Sequence, residues 1–267
     1  MLTRILSAVV LIPLVLWVLF AAPFSVQGVV VALVGAGLVL EWGNLAGEHA
    51  WPRRLTLVLS TWLILGTATL FPSISLAALL PLLAAPFLTE AVLVYRGQGR
   101  PGGHALFLHA GLAYCILPLV GLLSMLRQNQ GDWLVLWLLV IIWATDSGAY
   151  FTGRFLGRQT LAPHVSPKKT RAGLWGGLAG GVLAGGLLVH ATPVPLPEAW
   201  AWGMALVLSA LGQVGDLVES LLKREWGIKD SGGLIPGHGG LLDRLDSLLF
   251  TLPVYSLLVT GLAHHVG

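Results

Sequence analysis

Charge is scarce in this sequence. Its 267 residues include only fifteen lysines and arginines and twelve aspartates and glutamates, so charged side chains make up 10% while 56% are hydrophobic. A soluble domain carries about a quarter of its residues as charges, and a chain this poor in them cannot build a water-facing surface. Cysteine is nearly absent too. The single Cys115 excludes an internal disulfide and any cysteine-built metal site. Strict alternation of apolar and polar residues is also missing, which removes the pattern of a transmembrane β-barrel. What the chain has in quantity is long apolar runs of about 17 to 24 residues, the length at which a helix crosses a bilayer core of about 30 Å. The expected fold class is all-α, a polytopic integral membrane helical bundle.

Nine spans are predicted, at about 5–22, 26–46, 55–71, 74–95, 104–126, 133–151, 172–190, 199–222 and 245–263. Only Pro72 and Ser73 separate the third from the fourth, which predicts a tight helical hairpin. The opening MLTRILSAVVLIPLVLWVLFAAPF shares with a signal peptide a positive charge ahead of an apolar run, but its length fits a retained span. With connections placed alternately on two sides, Lys and Arg are nearly absent from one of them. Arg4, Arg53, Arg54, Arg96, Arg100, Arg154, Arg158, Lys168, Lys169, Arg171, Lys223, Arg224, Lys229 and Arg244 fall on the side of the N-terminus, and Arg127 alone falls opposite. Cytoplasmic loops collect Lys and Arg, so fourteen against one puts the N-terminus in the cytoplasm and the C-terminus outside. An eight-span reading would move many of those charges across. The outer loops are short, whereas the connections at about 152–171 and 223–244 are long, polar and glycine-bearing. The chain reads as a single membrane domain over 1–267, with a helical N-terminal half, 1–126, and a C-terminal half, 133–263, that carries the chemistry.

Acids at membrane depth are costly unless paired, hydrated or protonated, by about 2.5–3.5 kcal/mol on insertion scales. Glu41 and Glu90, near the ends of spans two and four, read as packing, cavity or interface residues. Asp146 sits at the cytoplasmic end of span six in WATDSGAY, sharing a helix face with Tyr150 at i+4. Downstream, Pro163 and Pro167 preclude a long helix, and SPKKT places Lys168 and Lys169 beside the Ser166 and Thr170 hydroxyls. That group suits either a phosphate or an anionic lipid surface. The seven glycines between Gly173 and Gly186 make span seven slim, a pattern for close helix packing.

The densest polar stretch runs from Ser220 to Asp246. At the end of span eight, helical spacing puts Asp216, Glu219, Ser220 and Lys223 on one face. At the start of span nine, Asp243, Asp246 and Ser247 repeat that spacing. Between them lies SGGLIPGHGGLLDR, whose glycines let backbone approach a ligand closely. Its His238 fits a structural or a phosphate-contacting role equally. Carboxylates without cysteines or a His pair favour a hard ion such as Mg²⁺. Lys223, Arg224, Lys229 and Arg244 complement phosphate oxygens. Acids for a metal beside cations for phosphates is the composition that phosphoryl or nucleotidyl transfer requires.

The stretch SLLKREWGIKDSGGLIPGHGGLLDRLDS closely resembles the signature of the phosphatidate cytidylyltransferases, also called CDP-diacylglycerol synthases. The resemblance takes in Ser220, Lys223-Arg224, Lys229-Asp230, Pro236, His238-Gly239-Gly240, Asp243-Arg244 and Asp246. Asp146-Ser147 with Tyr150, and SPKKT at 166–170, resemble the family's second polar segment, and TRILSAVVLIPLVL and Glu41-Trp42 its N-terminal half more weakly. One departure stands out: family members commonly carry an acid just after SPKKT, where this chain has Arg171-Ala172-Gly173.

The resemblance implies Mg²⁺-dependent transfer of CMP from CTP to phosphatidic acid, giving CDP-diacylglycerol and pyrophosphate in phospholipid biosynthesis. On that reading Asp216 and Asp243 are the principal metal ligands, with Asp246 and Asp146 beside them and room for a second cation. Lys223, Arg224, Lys229 and Arg244 then bind phosphates. Lys168 and Lys169 close the site, while Ser166, Thr170, Ser220 and His238 orient oxygens. The expected setting is the bacterial inner membrane with the site facing the cytoplasm, the partners are the bilayer and the two substrates, and no nucleic acid is involved. Glycine-lined spans allow a helix-packed homodimer. Two other readings are a secondary transporter, which would need matched polar interruptions in both halves, and a CTP-dependent kinase of a polyprenol-like alcohol.

Overall fold

The computed structural model describes residues 2–71, 102–225, 227–232 and 239–266. Eight long helices account for most of them: α1 (Leu2–Phe20), α2 (Phe24–Leu45), α3 (Trp51–Leu70), α4 (Gly102–Leu126), α5 (Gly131–Leu156), α6 (Arg171–Ala191), α7 (Glu198–Glu225) and α8 (Leu242–Val266). A two-stranded hairpin, β1 (Thr160–Ala162) and β2 (Ser166–Thr170), sits between α5 and α6. Each helix falls on a predicted span. Among the described residues, five helices are long and apolar enough to cross a membrane by length and composition alone. The expected fourth span at 74–95, its hairpin with the third, and Glu90 lie outside the described residues. The protein is an all-α integral membrane protein, and the hairpin lies within the predicted polar connection at about 152–171.

The chain divides into two compact units. One comprises Met1–Ser124 together with Asp230–Arg244, so the start of α8 belongs with the N-terminal helices. Within it, α2 ends in a Schellman turn. Gly47 takes a φ of 65°, and the Glu48 and Gly47 amides donate to the Gly43 and Asn44 carbonyls at 2.8 and 2.9 Å. The next helix starts at once. Buried Glu48 accepts from the Ala50 amide at 2.6 Å and pairs with buried Arg53 at 3.3 Å, so one acid serves as both cap and counter-ion for α3. Trp42 donates its indole N–H to the Phe107 carbonyl at 3.1 Å and stacks on that ring, which ties α2 to α4.

The other unit comprises Met125–Lys229 and Leu245–Gly267. Its spine is α5 against α6, and the glycines of α6 are what let the two backbones meet. A Cβ at Gly176 would overlap the Thr152 side chain, and one at Gly180 would come within 2.7 Å of the Ala144 carbonyl. Polar groups buried in this packing satisfy one another, as apolar surroundings demand. Trp137 donates to the Gly185 carbonyl at 2.8 Å, Thr145 and Ser209 share a hydrogen bond at 2.8 Å, and the buried Tyr255 hydroxyl donates to the Leu134 carbonyl at 3.1 Å.

Candidate active site

In the second unit, the polar face of α7 carries Asp216, Glu219, Ser220 and Lys223 along one stripe, as the helical repeat dictates. The β-hairpin is fastened to the same end of α7. Arg224 donates from Nε to the Val165 carbonyl at 3.3 Å and from Nη1 to the Ile228 carbonyl at 3.4 Å. Strand β2 thereby delivers Lys169 to Asp216, with Nζ 2.6 Å from Oδ2. Ser220 Oγ donates to the other carboxylate oxygen at 3.5 Å. Deeper in, Lys223 Nζ lies 3.4 Å from Oε1 of the buried Glu219.

Helix α8 adds a third acid. Asp246 is buried and faces Asp216, Glu219 and Lys223. Its Oδ1 accepts from the Ser247 amide at 2.6 Å, and Ser247 Oγ donates to the Gly212 carbonyl at 3.0 Å, which fixes the register of α8 on α7. Three carboxyl groups and two ammonium groups therefore share one neighbourhood, and the acids outnumber the bases.

In the first unit a second acid cluster is built on the glycine-rich insert. Asp243, in the first turn of α8, accepts through Oδ2 from the Ser231 and Gly240 amides, both at 3.0 Å. Buried Glu41 reaches the same segment from α2. Its Oε1 accepts from the Leu241 amide at 2.9 Å, and its Oε2 from the Leu242 amide at 2.8 Å and from Ser231 Oγ at 3.2 Å. The space is tight: a Cβ at Gly240 would overlap Ser231 Oγ and come within 2.7 Å of Glu41 Oε2. Only glycine lets the backbone lie this close. Asp243 and Asp246, three residues apart, follow one another on a single helix.

The other expected residues are placed as follows. Asp146 and Ser147 are exposed on α5, and Tyr150, on the same side, accepts from Arg154 Nη1 at 2.7 Å. Thr170 Oγ1 accepts from the Gly173 amide at 3.0 Å, so this hydroxyl caps α6. Ser166 opens β2 and is half-buried, Ala172 lies in the first turn of α6, and Lys168, Lys229 and Arg244 are exposed. The guanidinium of Arg224 is engaged by backbone carbonyls. His238 and Pro236 lie outside the described residues. Two acids go beyond the expected site set. Glu219 was visible in the sequence through its i+3 spacing from Asp216, whereas the partners of Glu41 come from about 200 positions further along and leave no local signal.

The donor set suits a hard cation. Carboxylate oxygens from α7 and α8, with acids in excess over lysines, match the oxygen ligands that Mg²⁺ takes. Among the described residues no group of three or more His, Cys, Asp or Glu side chains converges tightly enough to hold an ion alone.

An apolar helical bundle whose sparse charges gather as opposed carboxylates and lysines is an integral membrane protein equipped to handle phosphate groups. Comparison with known proteins narrows this. The sequence profile described as the cytidylyltransferase family matches residues 2–262. The chain is 38% identical over 253 residues to a protein of Brucella suis named phosphatidate cytidylyltransferase, covering 92% of this chain and 88% of that one. It is 36% identical over 270 residues to the protein of that name in Pseudomonas aeruginosa, covering 96% of each. A protein of that name in Bacillus subtilis is 48% identical over 120 residues, 45% of each chain. The chain belongs to the cytidylyltransferase family, and its chemistry is nucleotidyl transfer.

Proposed function

We propose that this protein transfers CMP from CTP to phosphatidic acid at the cytoplasmic face of a bacterial inner membrane, forming CDP-diacylglycerol and pyrophosphate. The observation that carries this reading is the family match along nearly the whole chain, which takes in both acid clusters. A phosphate oxygen of phosphatidic acid forms a bond to the α-phosphorus of CTP. The bond from that phosphorus to the bridging oxygen breaks, and pyrophosphate leaves with the electron pair. No covalent bond to the enzyme is required.

Asp216 and Asp243 would be the principal holders of Mg²⁺, with Asp246 and Asp146 as the further acids, and a second cation is compatible with this many carboxylates. Bound there, Mg²⁺ supplies charge neutralisation for the triphosphate and polarises the phosphorus under attack. The chain's own part is electrostatic and positional. Lys169 and Lys223 hold positive charge beside the carboxylates, where it offsets negative charge developing on phosphate oxygens. Lys168, Lys229 and Arg244, exposed at the polar end, attract and seat the anionic substrates, and Ser166, Ser220 and His238 orient oxygens. The lipid enters sideways from the bilayer while CTP arrives from water.

The test is incubation of the purified protein in phosphatidate-containing micelles with Mg²⁺ and CTP labelled at the α-phosphorus. Label appearing in the lipid phase, with pyrophosphate released in equal amount, supports the proposal. Label entering lipid only from the γ-position would identify a kinase and overturn it. Wild-type turnover by a folded Asp243→Asn protein would remove the proposed role of that residue.

A further inference from the structure

Glu41 belongs to no part of the transfer chemistry described above. It sits at the end of an apolar helix, 1% exposed, where a carboxylate is costly unless its oxygens are satisfied. Three donors satisfy them, and all come from one short segment: the Ser231 hydroxyl and the Leu241 and Leu242 amides. Leu242 is the first residue of α8, and Leu241 before it has no side-chain acceptor with which to cap the helix. Glu41 supplies that cap from another helix. The same segment also holds Asp243. The Ser231 residue that gives its hydroxyl to Glu41 gives its amide to Asp243 Oδ2, and the Gly240 amide gives Asp243 its second bond to the same oxygen. The two acids are thus coupled through Ser231 and through the first turn of α8.

We propose that Glu41 is a positioning residue for nucleotidyl transfer: from α2 it locks Ser231 and the start of α8 so that the Asp243 carboxylate is held in one orientation. This rests on the reading of Asp243 as a group of the transfer site. Glu41 touches no substrate. It acts by fixing Ser231 and the Gly240–Leu242 backbone, where glycine imposes no side-chain restraint of its own. A helix-start cap alone could come from a local Ser or Asp at 241. A buried acid spanning Ser231 and α8 does more, because it ties Ser231 to the helix start that carries Asp243.

The experiment compares wild-type protein with Glu41→Gln. The amide keeps the size of the side chain but turns an NH₂ group toward donors, so at least one of the three bonds is lost. Hydrogen exchange at the amides of Ser231, Gly240, Leu241 and Leu242 is expected to quicken by about tenfold or more while α5–α7 keep their protection. In the labelled-CTP assay kcat is expected to fall on the order of 10²-fold, with KM for both substrates near wild type. A Ser231→Ala protein, which loses one neutral donor, carries the test where Glu41→Gln does not fold, with kcat expected about tenfold lower. Unchanged exchange in a folded variant overturns the anchoring role. Quickened exchange with wild-type kcat overturns the positioning role, as does a loss of activity that matches the loss of folded protein. A wild-type protein that puts no CMP into lipid would sink the proposed reaction, while the exchange measurement would still decide what Glu41 does to the insert.

Discussion

Replacing Lys169 by alanine separates two uses of one ion pair. Lys169 Nζ and Asp216 Oδ2 are 2.6 Å apart, but their side chains are 26% and 37% exposed. Water reaches Asp216 and the stem of Lys169 while the Nζ atom itself is covered, so the pair is only partly screened and contributes about 1 kcal/mol to stability. If the pair served only to fasten β2 to α7, Lys169→Ala would cost at most that, and Arg224 would still hold the hairpin through the Val165 carbonyl. Turnover would barely change. If Lys169 instead offers its charge to phosphate oxygens in the transition state, the loss is that of one preorganised cation in a confined site. Removing one such stabilising group costs about 2.7–4 kcal/mol of barrier, a drop of 10²- to 10³-fold in kcat. The expected outcome is a protein with nearly wild-type thermal stability in detergent and turnover reduced by about that factor. CMP incorporation from labelled CTP at saturating substrate measures the second quantity, and a melting curve the first. Wild-type kcat in the variant would refute the catalytic use of Lys169. A stability loss of several kcal/mol would refute the reasoning from exposure.

Gly176→Val places a branched side chain where even a Cβ overlaps Thr152; it is expected to force α5 and α6 apart and destabilise the protein by about 1–3 kcal/mol, read as a lower melting temperature. Chelation with EDTA is expected to stop CMP transfer, with Mg²⁺ restoring it; titrating Mg²⁺ into the chelated wild-type protein in the presence of CTP should raise its melting temperature beyond the effect of CTP alone, as binding at about 100 times the dissociation constant contributes about 2.7 kcal/mol, and Asp216→Asn should abolish that rise.

Helices were legible in the sequence because apolar length is a strong, local signal, and each of the eight described helices lies where a long run predicted one. The small hairpin was not. Two strands of three and five residues, one of them carrying Pro167 and two lysines, fall below what periodicity can register. The stripe of Asp216, Glu219, Ser220 and Lys223 was legible because one helix sets its spacing. Its meeting with Lys169 was expected only in outline, as two polar segments sharing a site. Thr170 shows how a residue type can be read two ways. A hydroxyl beside two lysines suits a phosphate, but a threonine directly before a helix is also a preferred cap, and in the structure it accepts from Gly173. Arg224 likewise gives its donors to backbone carbonyls at the hairpin.

The cations of the polar end therefore divide by what already holds them. Arg224 is committed to backbone, and fixing the guanidinium this way makes it a strut that keeps β2 against α7. Lys169 and Lys223 are held by carboxylates, an exchangeable arrangement, because a carboxylate that gains another cation releases its lysine and a lysine that gains a phosphate releases its acid. Pairing acids with lysines before substrate arrives keeps each charge from standing alone in a poorly hydrated neighbourhood, which would be far costlier than the pair. On the proposed reading, Asp216 would be freed to hold a cation and Lys169 to meet phosphate oxygens in the same exchange. Among the described residues, Glu48, Arg53 and Arg224 thus build scaffold, while Lys169 with Asp216 and Lys223 with Glu219 form pairs that a charged substrate would exchange.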